Sequence, residues 1–185
     1  MALSTSVLAY LVAITIYKVI ENLTLARYGL ISKIPLQYPA LLYITIPFLS
    51  VLFLPIGELY YYSTNATLIF WGLGGLFILL AMLMRVRSYK DLSTHYQKQK
   101  TEQHNDTFVS NGVYAIIRHP IYLSNVFLYI GCPLFLLAKW TWLVSLLGLL
   151  GILLMITKDE SLMKAKYADY DMYIKKTWAL LPKIF

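Results

Sequence analysis

The fold of this chain depends on residues 121–157, which read IYLSNVFLYIGCPLFLLAKWTWLVSLLGLLGILLMIT. One helix of that length would be about 55 Å long at 1.5 Å per residue, whereas the hydrocarbon core of a bilayer is only about 30 Å thick. The run must therefore fold back on itself. Residues 138–142 form the best turn, because Lys139 can reach the membrane surface and two Trp side chains favour the interface. The sequence predicts a helical hairpin with spans at 121–138 and 140–157.

The composition of the whole chain is that of an integral membrane protein. Of its 185 residues, 59% are hydrophobic and 14% are charged, whereas soluble domains are about a quarter charged. Three further apolar segments approach the about 20 residues that a spanning helix needs: Leu3–Ile20, Gln37–Ile56 and Ala66–Met84. We therefore predict an all-α integral membrane fold with five transmembrane helices, in which the C-terminal pair forms the hairpin.

The distribution of charge predicts the topology and the kind of partner. The chain has a formal net charge of +7, but its basic residues lie between apolar runs rather than in one patch. This disfavours nucleic-acid binding and favours a surface beside membrane lipids. If the N-terminus lies outside, Lys139 is the only Lys or Arg that falls on the outer side. Because basic residues favour the inner side of a membrane, the C-terminus is predicted to be cytosolic. The basic, Tyr-rich tail from Ser161 to Phe185 is predicted to contain an interfacial helix.

A polar cluster precedes the hairpin at residues 111–122, which read NGVYAIIRHPIY. Pro120 fits the first turn of a helix, where its missing N–H matters little. Arg118 and His119 then lie at a helix N-terminus, which favours an anion. The hairpin returns the acidic pair Asp159–Glu160 to the same depth. The pattern predicts either an ion pair that locks two helices, or a site where Arg clamps a carboxylate and an acid holds an ammonium group.

The remaining histidine, cysteine, methionine and tyrosine side chains give weaker evidence about function. The sequence contains no glycine-rich phosphate loop and no zinc-binding motif, and its three histidines are too scattered to predict a metal site. Cys132 lies in an apolar run and is predicted to be a packing thiol. The tyrosines of the tail have helical spacing, which favours packing over ligand contact: Tyr167, Tyr170 and Tyr173. Met163 is predicted to be a core residue.

Three segments together carry a family resemblance. They are residues 108–122, FVSNGVYAIIRHPIY; the acidic pair after the hairpin; and residues 169–173, DYDMY. This pattern resembles the isoprenylcysteine carboxyl methyltransferase family and its phospholipid-methyltransferase relatives. Those enzymes show a Leu-Val-x-x-Gly-x-Tyr segment, an Arg-His-Pro-x-Tyr segment, a paired-acid motif after the hairpin and a Tyr-x-x-Tyr tail.

Composition and apolar segments predict one membrane domain over residues 1–185 with three spans in residues 1–84, and the resemblance implies a methyltransferase core in residues 85–185. It implies that this core holds S-adenosylmethionine on the cytosolic side and takes a lipid-like or prenylated substrate from the bilayer. Arg118 and His119 are the implied catalytic residues, with His119 as the base for a thiol or amine acceptor. The implied cofactor site comprises Gln99, Phe108, Val109, Tyr114, His119, Pro120, Ile121, Tyr122, Asp159 and Glu160, and either acid can bind the amino group.

Departures from the family pattern concern the methyl acceptor. Prenylcysteine enzymes carry an Arg shortly before the acids, but Leu153–Thr157 contains none and Lys158 is the only nearby cation. The predicted acceptor is the carboxylate of a prenylcysteine-type substrate, and a phospholipid amine or a thiol is the alternative. Two other classes stay open. One is an NADPH-dependent sterol-type reductase, which Ser124–Asn125 disfavours because those enzymes have Gly-Glu there. The other is a non-catalytic lipid-binding protein.

Overall fold

A computed structural model describes residues 5–30, 46–62, 67–102 and 107–181. Within these ranges the regular structure is helical, apart from an isolated β-bridge between Ile117 and Trp178. The all-α prediction is therefore confirmed for the described residues. The elements in chain order are α1 (Thr5–Arg27), α2 (Ile46–Tyr62), α3 (Leu68–Glu102), a 3₁₀ helix (Gly112–Ala115), α4 (Pro120–Leu136), α5 (Thr141–Lys166) and α6 (Tyr170–Lys176).

The helices have the length and composition of membrane spans to different degrees. Three are long and apolar enough to cross a bilayer: α1, the part of α3 from Leu68 to Gln97, and α5. The apolar part of α2 and the whole of α4 are shorter. The membrane character of the chain is confirmed, while the count of five spans stays a prediction. The first part of the predicted second span, from Gln37, lies outside the described residues.

The hairpin is formed by α4 and α5, which pack against each other. Leu137 ends α4 in the left-handed conformation (φ 53°), and α5 begins at Thr141. The helix of the second arm continues beyond the predicted span 140–157 to Lys166, and the limits of the span itself stay a prediction. The extra turns consist mainly of good helix formers, and Asp159 and Glu160 lie within them. We refer to residues 170–180, which comprise α6 and the segment after it, as the C-terminal strap.

Helix α4 is the centre of the bundle, since it packs against α1, α2, α3 and α5. Its closest approach is to α3. A Cβ atom added to Gly74 would lie 2.6 Å from the backbone of Phe135. One added to Gly131 would lie 3.0 Å from the Gly74 carbonyl oxygen. Small residues therefore let the two backbones meet, and this close packing fixes the start of α4 relative to α3.

Helix α2 contains Pro55, whose missing N–H leaves the carbonyl of Val51 without its helical partner. The side chain of Tyr10 from α1 supplies a donor. Its hydroxyl donates to the carbonyl oxygens of Leu52 at 3.0 Å and Val51 at 3.3 Å, and Tyr10 is completely buried. The predicted need of a proline-interrupted span for partners on a neighbouring helix is thus met by one phenol. The segment after Pro55 was predicted to be a loop from Glu58, but α2 continues to Tyr62.

Helix α1 was predicted to end at its first charged residues, but it continues to Arg27. The charges remain inside because they are paired across the bundle. Glu21 is buried, and its Oε1 lies 3.6 Å from Nε of the buried Arg85 on α3. Tyr89 also donates to Glu21, at 3.4 Å, and Nη2 of Arg85 donates to the side-chain oxygen of Asn125 on α4. This network joins three helices.

Candidate active site

The 3₁₀ helix at residues 112–115 positions the first segment of the candidate site against α3. Gly112 has a φ of +61°, a conformation that favours glycine. The carboxylate of Asp91 on α3 accepts a hydrogen bond from the Val113 N–H at 2.7 Å. A Cβ on Gly112 would lie 2.1 Å from that carboxylate. The Asn111–Gly112 pair therefore folds the chain tightly against α3 and places the buried Tyr114 beside it.

The C-terminal strap pairs with the backbone that leads into α4. The N–H of Arg118 donates to the carbonyl of Trp178 at 2.8 Å, and the N–H of His119 donates to Ala179 at 3.1 Å. In return, the N–H of Trp178 donates to the carbonyl of Ile116 at 2.9 Å. The backbone of the two polar residues before Pro120 is thus held by the strap as well as by the helix that follows them.

The side chain of Arg118 is bonded to internal partners. Its Nε donates to Oε1 of Glu160 on α5 at 2.7 Å. Its Nη1 donates to the carbonyl oxygens of Thr177 and Ile174 in the strap, at 2.5 and 3.2 Å. This is the ion pair that the sequence predicted as one of two alternatives. Because Arg118 joins α4, α5 and the strap, two of its nitrogens are already engaged and cannot clamp a ligand carboxylate.

His119 shares the same acid. Its Nε2 lies 3.3 Å from Oε1 of Glu160, and its ring stacks against Tyr122 with centroids 5.6 Å apart. A carboxylate can only accept a hydrogen bond, so this contact places a proton on Nε2. In the neutral ring Nδ1 is then the proton acceptor. Glu160 therefore fixes both the orientation and the tautomer of His119.

Asp159 has a different environment from its neighbour. The hydroxyl of Tyr122 donates to Oδ2 of Asp159 at 2.7 Å. Adjacent acids on α5 point to different partners, since Glu160 bonds Arg118 and His119 while Asp159 bonds only a neutral phenol among these residues. The negative charge of Glu160 is therefore largely compensated within the protein, and that of Asp159 is available to a cation.

Between α3, the end of α5 and the C-terminal strap lies a cavity of about 610 Å³. Sites that bury small ligands usually occupy about 300–1,000 Å³. Six of the residues predicted for the site line this cavity: Phe108, Val109, Tyr114, Arg118, His119 and Asp159.

Other predicted residues are not part of the described lining. Pro120 is fully buried in the packing at the start of α4. Tyr122 and Glu160 bond to lining residues, whereas Ile121 in the first turn of α4 is not among the residues of the lining. The side chain of Gln99 lies outside the described part of the chain, so its predicted role stays a prediction.

Many of the residues that line the cavity were not predicted from the sequence. Three missed residues come from one face of α3 at the spacing i, i+3 and i+4, a helical signal that was available in the sequence: Leu92, His95 and Tyr96. The other missed residues are Thr107, Leu162, Met163, Lys166, Tyr167, Tyr170 and Tyr173. The prediction that Met163 is a core residue was wrong, because its side chain is 38% exposed.

The tyrosines of the tail both pack and face the cavity. The ring of Phe108 lies 5.0–5.4 Å, centroid to centroid, from the rings of Tyr167, Tyr170 and Tyr173. Burial raises the pKa of Tyr170 to about 12 and also raises the pKa values of Tyr114 and Tyr173. These phenols therefore stay neutral at physiological pH, and Tyr173 donates to the carbonyl of Tyr114 at 2.6 Å.

Comparison with known families identifies this region. The model of the family described as phospholipid methyltransferase matches residues 69–170, more than half of the chain, from α3 to the start of the strap. The chain belongs to the phospholipid methyltransferase family. The match covers the broad group predicted from the resemblance and does not single out isoprenylcysteine carboxyl methyltransferases within it. A search of curated proteins finds no match. Membership indicates a membrane methyltransferase that acts on lipid-like substrates.

Proposed function

We propose that this member of the phospholipid methyltransferase family transfers a methyl group from S-adenosylmethionine to a lipid-like acceptor at the cavity between α3, α5 and the C-terminal strap. The observation that carries the proposal is the position of Asp159. Its carboxylate lines a cavity of about 610 Å³ together with His119 and six aromatic side chains. The same region lies within the family match. The NADPH-dependent reductase alternative receives no support from that match.

The lining suits the separate parts of the cofactor. A carboxylate binds an ammonium group strongly, and Asp159 is the acid that faces the cavity. The aromatic walls can stack on adenine and can stabilise a sulfonium through cation–π attraction. Lys166 supplies a cation for the cofactor carboxylate. We therefore assign the ammonium site to Asp159 and a positioning role to Glu160, which holds Arg118 and His119.

The protein has to orient the reactants and exclude water. When bound, the cofactor supplies an electrophilic methyl group, whose C–S bond breaks with the electron pair leaving on sulfur while the lone pair of the acceptor forms the new bond. Such a displacement needs an in-line arrangement and a dry site. The strap closes one wall with Tyr170 and Tyr173, and Arg118 holds the strap in place.

The geometry of His119 favours an acceptor that loses a proton. An amine must give up a proton to form its methylated product, and a base within reach can take it. The contact of Nε2 with Glu160 leaves Nδ1 of His119 as the acceptor of that proton. A phospholipid amine is therefore the first candidate. The prenylcysteine-type carboxylate is the second, because a carboxylate can accept the methyl group without a base.

Binding of the spent cofactor tests the proposal. We expect purified protein to bind S-adenosylhomocysteine saturably, with one site per chain, in isothermal titration calorimetry, and to show no such binding of NADPH. Folded protein that binds only NADPH, or neither compound, would contradict it. To separate the acceptors, methyl transfer by His119→Asn is compared with wild type. An amine acceptor predicts the loss of most activity, and a carboxylate acceptor predicts its retention.

The charge distribution supports a cytosolic site. We propose that the cavity and the C-terminus face the cytosol and that the N-terminus lies outside, because the basic residues between the spans would otherwise fall on the outer side. A reporter fused to the C-terminus should be active only in the cytosol. A reporter that is active outside would overturn this orientation.

A further inference from the structure

The back of the C-terminal strap carries a surface that the catalytic proposal does not use. Three large apolar side chains are exposed there: Ile116 is 56% exposed, Met172 is 57% and Trp178 is 41%. Two exposed cations, Lys175 and Lys176, end α6 beside them. We call these five residues the basic–apolar patch. None of them belongs to the helices that have the length of a membrane span.

The members of this patch are neighbours. On α6, Met172 lies three and four residues before Lys175 and Lys176, so all three share one helix face. Met172 and Lys176 also line a shallow cavity of about 410 Å³ together with Ala115, the residue before Ile116. The carbonyl of Ile116 accepts the hydrogen bond from the N–H of Trp178. The patch is therefore one continuous surface built from the strap and the segment before α4.

We infer that the basic–apolar patch rests on the anionic lipid surface of the membrane that the helices span. A surface that combines exposed Trp and aliphatic groups with lysines is typical of segments that lie in the headgroup region. The apolar groups would enter the acyl boundary, while the lysines meet anionic headgroups. Residues 161–181 contain four lysines and two aspartates, so the charge of the whole region complements such a leaflet.

The same strap forms a wall of the candidate active site on its other side. Tyr170 and Tyr173 line the large cavity, and Tyr173 lines the small one as well. Nη1 of Arg118 bonds the strap through Ile174 and Thr177. Anything that holds the outer side of the strap therefore also holds this wall of the cavity in place. Lipid contact at the patch should raise the affinity of the cavity for its ligand by favouring the position in which Tyr170 and Tyr173 line it.

The inference rests on the proposed function only where ligand affinity is measured. The protein is placed in nanodiscs of zwitterionic phosphatidylcholine, or of phosphatidylcholine mixed with anionic phosphatidylglycerol. Trp178 is observed through the fluorescence difference between wild type and Trp178→Phe, with lipids brominated near their headgroup end as quenchers. The dissociation constant of S-adenosylhomocysteine is measured in the same discs by calorimetry.

We expect the Trp178 signal to be quenched, and affinity to rise about five- to thirtyfold in anionic discs, the scale of one or two lysines near a charged surface. Lys175→Gln/Lys176→Gln should abolish the lipid dependence. Lys139→Gln, an exposed lysine in the hairpin turn, removes charge away from the patch and should preserve it.

The two readouts separate the possible failures. A Trp178 signal that brominated lipids leave unchanged would overturn the membrane contact, whatever the ligand does. A quenched signal with equal affinity in both kinds of disc would overturn the coupling to the cavity. If S-adenosylhomocysteine binds in neither disc, the proposed function fails, and the quenching of Trp178 alone decides the membrane contact.

Discussion

A carboxylate lies at each end of α5, and the two differ in how many hydrogen bonds they accept from the protein. At its N-terminal end, the buried Glu58 of α2 accepts hydrogen bonds from the N–H of Trp140 at 2.8 Å and from the N–H and hydroxyl of Thr141, both at 2.5 Å. At its C-terminal end, Asp159 accepts one bond from Tyr122 and lines a large cavity. The first acid is saturated by the protein, and the second is open to a ligand.

The comparison predicts that an acid of this bundle is available to a ligand only where the protein leaves its charge uncompensated. Glu58 completes a helix N-terminus, where an anion is favoured by the dipole and by unpaired N–H groups. Glu160 resembles Glu58, because Arg118 and His119 use its carboxylate. Asp159 is the exception. Variants of these acids should therefore separate ligand affinity from stability.

The largest expected effect is that of Asp159→Asn on ligand binding. Removing the charge that faces the cavity should weaken the binding of S-adenosylhomocysteine about 100-fold, the cost of losing one partner of a desolvated charge pair. Calorimetry on wild type and variant measures it. Asp171→Asn makes the same chemical change at an exposed acid of the strap and serves as control. Equal affinities for Asp159→Asn and wild type would remove Asp159 from the ligand site.

The opposite pattern is expected of Glu58→Gln. The glutamine amide has one acceptor oxygen, whereas the Glu58 carboxylate has two. At least one buried donor of Trp140 or Thr141 at the start of α5 would therefore lose its hydrogen-bond partner. The free energy of unfolding should fall by about 2–3 kcal/mol, with little change in the affinity of the folded protein for S-adenosylhomocysteine. Denaturation in detergent and calorimetry measure the two quantities. A large loss of affinity without loss of stability would contradict the assignment of Glu58 to the fold.

The turn before the site gives an intermediate effect on stability. Gly112→Ala should lower the free energy of unfolding by about 1–2 kcal/mol, because alanine is strained at positive φ and its Cβ would collide with Asp91. Gly29→Ala is the matched control, since Gly29 has the same φ of +61° and a Cβ there meets nothing within 4 Å. If both variants unfold at the same temperature, the role given to the Asp91 contact is wrong.

The smallest effect is expected from Tyr122→Phe. The variant removes the hydrogen bond that Asp159 accepts from the Tyr122 hydroxyl, without changing charge. The carboxylate would be oriented less well, and ligand affinity should fall about three- to tenfold, the scale of one hydrogen bond. Calorimetry again measures it. A loss as large as that of Asp159→Asn would mean that Tyr122 itself binds the ligand.

The sequence predicted best those features that depend on length and local pattern. The hairpin followed from a run too long for one span, and the approach of Asp159–Glu160 to Arg118 followed from the hairpin. Features that depend on contacts between distant segments were missed. Glu21 was taken as a span boundary because its partner Arg85 is 64 positions away. The division of roles between Asp159 and Glu160 needs the positions of three side chains, which no spacing rule supplies.

The wall of the cavity shows the same limit. Leu92, His95 and Tyr96 share a helix face, which the sequence could have indicated, but only the position of the strap shows that this face looks into a cavity. The tail tyrosines were assigned to packing on helical spacing. Their contacts with Phe108 support that assignment, yet the same rings also line the site. One aromatic surface can pack on one side and bind a ligand on the other.

A structure of the protein in nanodiscs with S-adenosylhomocysteine would show which acid binds the ligand. We predict the ligand in the cavity between α3, α5 and the strap, with its ammonium group on the carboxylate of Asp159 and with Glu160 still bonded to Arg118 and His119. A ligand bound outside this cavity, or an ammonium group on Glu160 with the Arg118 pair broken, would contradict it.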